Sequence, residues 1–219
     1  MSANMKTLLL QKNIVVNGQF NLALLDKYFF IKNDIISEEE FSKMQHPALF
    51  NGFNSHLVTD KFEITINPIQ LVVYSVKSGD DDKINEFIIK IIKASGIGNF
   101  PSFGMNFEWA LQFENKEQVQ EKSKEYFYNE NTKLMPSFFN SEDANYGFYA
   151  SKDIMGARLK LDIKPINNLN YPVKGVVPMD ALFHQFNFHF ALEGTDIIPF
   201  LEKYEEYKKE TDKIISFYK

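Results

Sequence analysis

The sequence predicts an α+β fold: a mostly antiparallel sheet with helices packed on one face. Three observations carry this. Several runs alternate apolar and polar residues, as half-buried strands do. A smaller number of stretches repeat at helical spacing instead. The two kinds do not follow one another in the βαβα order of a parallel sheet.

Taken in order, Lys6 to Val16 is rich in Leu, Ile and Val and reads as a strand. Asn17-Gly18 is a two-residue hairpin signal, since both positions tolerate positive φ. Phe20, Leu22 and Leu24 then alternate like a return strand, and Tyr28 to Lys32 would continue the sheet. Ser37 with Glu40 forms a capping box that starts a short helix. Ser55 to Ile66 and Ile69 to Lys77 are β-rich runs punctuated by Asn67-Pro68. Asp80 to Asp82 suit the positive end of a helix carrying Ile84, Phe87, Ile88, Ile91 and Ile92, which Gly96 would stop.

Gly104 to Glu114 is the clearest strand, with Met105, Phe107, Trp109, Leu111 and Phe113 on one face. An amphipathic helix follows from Lys116 to Tyr128. After a Pro-containing loop come a strand at Tyr146 to Ala150 and a second at Ala157 to Lys164. Pro165 to Met179 reads as a long loop, Gln185 to Phe190 as a last strand, and Asp196 to Tyr218 as one C-terminal helix. Each half thus runs strand, helix, two or three strands, longer helix. We expect one domain over residues 1–219, with a boundary between similar halves near 96–104.

Composition excludes several classes. The chain has 219 residues, a net charge of −5 and no cysteine. Thiolate metal sites, disulfide scaffolds and Cys nucleophiles are therefore out. An acidic balance speaks against a nucleic-acid partner, which demands many cationic contacts. No stretch approaches the roughly 20 apolar residues of a membrane span, and none resembles a signal peptide. The cytoplasm is the expected compartment.

Three patterns resemble an uncharacterised bacterial protein family of similar length. They are Asn17-Gly18-Gln19-Phe20-Asn21 with Phe29-Phe30 and Ile35-Ile36, then Leu57-Val58-Thr59-Asp60-Lys61-Phe62, then Pro101, Gly104 and Asn106. The likeness covers the first half of the chain and has no counterpart after Phe113. It implies a bacterial source and a shared fold, and it carries over no catalytic residue.

The candidate chemistry is sparse. His184 and His189 lie on opposite faces of one strand and cannot chelate one ion, so no metal and no other cofactor is expected. Gly96-Ile97-Gly98 follows a helix and precedes a strand, the reverse of a phosphate loop. No Gly-x-Ser-x-Gly elbow is present.

Arg158 is the only arginine beside 23 lysines, which suggests that its planar fork is needed. If its strand neighbours the last one, His189, Asn187 and Gln185 share its face, and Asn106 and Glu108 could join them. An ordinary ion pair, with Asp162 or Glu108, is the plainer use of that arginine. Phe200, Tyr204, Tyr207, Thr211, Ile214 and Tyr218 form a continuous helical seam. Such a seam either packs on the chain's own sheet or joins two chains.

The leading expectation is a non-enzymatic protein that acts through protein–protein contact, as a homo-oligomer or a complex subunit. A small-ligand or peptide binder with an aromatic-lined, chaperone-like pocket is the alternative. A hydrolase built on the polar sheet face comes third.

Overall fold

The computed structural model describes residues 5–77, 83–170 and 178–218. One antiparallel sheet of nine strands dominates it, as the alternating runs predict. The strands are β1 (Lys6–Asn17), β2 (Leu49–Phe50), β3 (Ser55–Val58), β4 (Phe62–Asn67), β5 (Gln70–Ser75), β6 (Ser102–Phe113), β7 (Phe148–Ile154), β8 (Ala157–Leu169) and β9 (Met179–Ala191). The helices are α1 (Lys27–Lys32), α2 (Glu38–Lys43), α3 (Ile84–Ser95), α4 (Lys116–Phe127), α5 (Leu134–Phe138), α6 (Ile198–Glu202) and α7 (Tyr204–Ser216). No helix among the described residues is long and apolar enough to cross a membrane.

The sheet order is β2-β3-β4-β5-β1-β6-β9-β8-β7. It reads nearly the same from either end. Each half is a long first strand followed by a meander that folds back beside it, of four strands in the first half and three in the second. The halves meet where β1 pairs with β6, from Lys6 opposite Gln112 to Asn17 opposite Ser102. The likeness of the two halves in outline is therefore a likeness of topology.

Strand alternation sends one set of side chains to the helices. Ile14, Val16, Met105, Phe107, Leu111, Phe186, Phe188 and Phe190 are buried there. α3 adds Ile84, Ile88, Ile91 and Ile92, and α7 adds Tyr204, Tyr207, Thr211 and Ile215. Ring contacts knit this layer: Phe103 stacks on Phe190 at 4.1 Å, and Phe107 lies 5.2 Å from Tyr204. The Trp109 indole donates to Thr211 Oγ1 at 3.1 Å, tying β6 to α7. The Tyr207 hydroxyl donates to the Met155 carbonyl at 2.8 Å, tying α7 to the turn between β7 and β8.

Several local expectations need correction. Asn17-Gly18 makes no hairpin. β1 is already paired on both edges, to β5 and to β6, so a return strand has no place to dock. Instead the Gly18 and Phe20 amides donate to the carbonyls of Ile69 and Pro68. Residues 28–32 belong to α1, because Asp26 caps it by accepting from the Phe29 amide at 2.9 Å. The run from Ser55 to Ile66 is two strands, split where Thr59 Oγ1 accepts from the amides of Lys61 and Phe62.

In the second half, Pro165 lies inside β8. It pairs only with β9, so its missing N–H leaves no ladder bond unmade. Residues 171–177 and Asp80 to Asp82 lie outside the described residues. The C-terminal helix is two, α6 and α7, parted at Lys203. β7 begins later and runs longer than predicted. It turns at Met155-Gly156, both at positive φ, the two-residue hairpin that the right-handed twist favours. The capping box at Ser37 and Glu40 and the stop at Gly96 stand as read.

Thr211→Val should destabilise the fold by about 1 kcal/mol, because it leaves the half-buried Trp109 N–H without its acceptor. Phe107→Ala should remove about 3–5 kcal/mol. Urea denaturation followed by Trp109 fluorescence measures both.

Candidate functional site

The face of the sheet away from the helices is polar at its centre. Pairing of β6 with β9 and of β9 with β8 brings the sequence-predicted residues together. Asn106 stands opposite Asn187, Glu108 opposite Gln185, and His189 opposite Arg158. The condition set on Arg158, that its strand lie beside the last, is met.

The central row is an amide ladder. Asn187 Nδ2 donates to Asn106 Oδ1 at 2.5 Å, and Asn106 Nδ2 donates to Asn13 Oδ1 at 2.7 Å. The amides point the same way, so their dipoles add along the row. The carbonyl end of the row faces Lys160, which stands opposite Asn187. Gly104 lies beside the ladder, and a Cβ there would stand 3.3 Å from Asn187 Nδ2. Asn13 is buried and completes the ladder. Sequence reasoning passed over it, although a polar residue inside an apolar strand was the available signal.

Glu108 sits where this row meets an apolar patch of Leu10, Ala110 and Phe183 on the same face. It accepts from Gln185 Nε2 at 3.2 Å, and its Oε2 is buried with no hydrogen-bond partner. Burial pushes its carboxyl above the ordinary range, partly opposed by the Gln185 bond.

Arg158 is spoken for. Nη1 donates to Asp153 Oδ1 at 3.1 Å and Nη2 to Ser151 Oγ at 2.8 Å, both on β7. The ion pair is therefore not with Asp162, which meets Lys164 at 2.7 Å, nor with Glu108. The fork holds the outer strand in register.

The aromatic seam turns inward. Tyr204 and Tyr207 are buried against Phe107, Phe188 and Phe190 of the chain's own sheet. Phe200 packs on Phe103, and Ile214 and Tyr218 pack against the same core. The seam thus packs on the chain's own sheet, with Phe200, Ile214 and Tyr218 half-buried at its margin.

His184 is fully buried on the helix side, as its opposition to His189 requires. Its Nδ1 donates to the Leu182 carbonyl at 3.0 Å, and Tyr218 lies across its ring at 5.1 Å. Burial lowers its pKa from 6.5 to about 4.

No three His, Asp or Glu side chains among the described residues are grouped to hold a metal ion. A cavity of about 210 Å³ lies between α2 and β3, lined by Met44, His46, Val58, Thr59 and Lys77. An open hollow of about 540 Å³ lies beside Phe20, Leu22 and Phe50. Neither opens at Arg158 or His189.

The two buried titrations give opposite signs. His184 is held neutral in the fold, so its contribution is complete above pH 6.5 and lost as pH falls towards 4. The loss should reach about 3 kcal/mol, and His184→Gln should remove that slope. Glu108 binds its proton more tightly in the fold than in the unfolded chain. Its effect on stability therefore becomes less favourable as pH rises above 4.5. Glu108→Gln should be more stable than the parent at neutral pH and lose that advantage in acid. Denaturant midpoints across pH read both.

Compared with known protein families and curated proteins, the chain matches no family model and no curated sequence.

Proposed function

We propose that this protein acts in the bacterial cytoplasm by contact with another protein chain rather than by catalysis, and that the contact is the outer edge of β7. One observation carries this. β7 is a seven-residue strand at the end of the sheet, and among the described residues nothing pairs with its outer edge. Strand ends of this kind are templates for another strand, and natural sheets ordinarily cover or shorten them. The opposite end is shortened, since β2 has two residues.

The surroundings of β7 suit a protein surface. Phe148 and Tyr149 are 45% and 63% exposed. The α5 residues Leu134, Phe138 and Phe139 are exposed as well. The Tyr146 hydroxyl donates to the Phe139 carbonyl at 2.5 Å, which ties the end of α5 to the entry of β7. Gly147 permits that entry, because a Cβ there would stand 2.5 Å from the Ile163 carbonyl oxygen. The amide ladder on the open face bonds to itself and serves to stiffen the sheet behind this edge.

The test is the size of the protein's assembly in an extract of its source cell. We expect a mass above the 25.5 kDa of one chain. Phe148→Lys with Tyr149→Lys sets charges beside the edge and should return the protein to single-chain mass with unchanged circular dichroism. An unchanged assembly, or a single chain from the start, sinks the reading.

A further inference from the structure

The open edge of β7 can be paired with its own copy. Resting on the contact reading above, we propose that two copies of this chain pair β7 to β7 in antiparallel fashion, about a two-fold axis through Ser151, and join their sheets into one of eighteen strands.

The register follows from the sequence of the strand. A two-fold axis perpendicular to the sheet keeps each residue on its own face. Residue numbers opposite each other then share one sum, and that sum must be even. Centring on Ser151 is the one choice that pairs all seven residues of Phe148–Ile154. Phe148 then faces Ile154 of the second copy on the helix side, apolar against apolar. Ala150 faces Lys152, a small residue beside a long one. On the open face Tyr149 faces Asp153, and Ser151 faces Ser151.

No like charges stand opposite each other in this register. The two Lys152 ammonium groups lie on the diagonal and reach past Ala150 to water. Shifting the axis to Lys152 would set them face to face, which is unfavourable. Shifting it to Ala150 would leave Asp153 and Ile154 without partners.

Two further observations fit the same pairing. Arg158 holds Ser151 and Asp153 from behind, so the midpoint and one contact residue are ordered before a second chain arrives. Inside each chain, two topologically similar halves already associate by antiparallel pairing of β1 with β6. The proposed interface repeats that mode at the outer end.

The absence of cysteine makes a clean test possible. The purified full chain should sediment at twice 25.5 kDa. Ser151→Cys should form an interchain disulfide on mild oxidation, because opposed Cα atoms lie about 4.5–5.5 Å apart, within the span a disulfide bridges. Tyr149→Cys alone should not, since its copy is displaced four residues, about 13 Å, along the strand. Mixed with Asp153→Cys it should cross-link.

Tyr149→Asp sets a carboxylate against Asp153 of the second copy and should weaken association roughly tenfold. It alters no backbone bond, so it keeps the test readable if a cysteine variant fails to fold. A purified chain at single-chain mass at every concentration overturns the self-pairing. So does a dimer that Ser151→Cys cannot cross-link. If the assembly in extract still responds to the edge variants, the contact reading survives that failure. If it does not, both fall.

Discussion

β1 and β6 are 12-residue strands, and their antiparallel pairing is the seam from which both halves fold outward. β1 then takes β5 on its free side, and β6 takes β9. Each long strand therefore has both edges satisfied within the chain. Burial follows the same geometry. Alternation along four neighbouring central strands puts Val73, Ile14, Phe107 and Phe188 on one side, and the helices close over them. Much of the Phe content is spent in this layer. Breaking the central pairing would leave a five-strand and a four-strand sheet, each with a long apolar edge and half a roof.

That seam also explains what could be read from sequence and what could not. Strong periods were legible: β6, α3 and α4 lie where alternation or helical spacing puts them, and the alternation over Gln185 to Phe190 marks the second half of β9, which starts at Met179. Local turn chemistry was legible only when nothing distant competed. The capping box at Ser37 met no rival, whereas Asn17-Gly18 lost to two strands already flanking β1. Tyr28 to Lys32 carries strand-forming residues, but the Asp26 cap and the need to bury Phe29 and Phe30 together made it a helix. The Met155-Gly156 turn is a weaker word in sequence than Asn-Gly, and it was passed over.

The candidate site shows the same division. That Asn106, Glu108, Asn187, His189 and Arg158 share a face followed from strand parity and one assumption about neighbours. That Arg158 would reach to β7 did not, because β7 was not placed far enough along the chain to present Asp153. The helical seam from Phe200 to Tyr218 was legible as a seam, while its occupant was not. An amphipathic stripe states that something apolar covers it, and here the chain's own Phe107, Phe188 and Phe190 do so.

The two ends of the sheet differ in length, and under the proposed pairing that difference would set a stoichiometry. β2 spans two residues, too short to offer a useful row of donors and acceptors, while β7 spans seven. A subunit with two long edges can add neighbours without limit and grow into a fibre. A subunit with one long edge and one stub can be joined only once, after which the assembly presents a stub at each end. Under the proposed pairing, the stub at Leu49 and Phe50 would be a terminator that keeps the sheet from growing, while Phe50 also packs on Phe30 and Phe41.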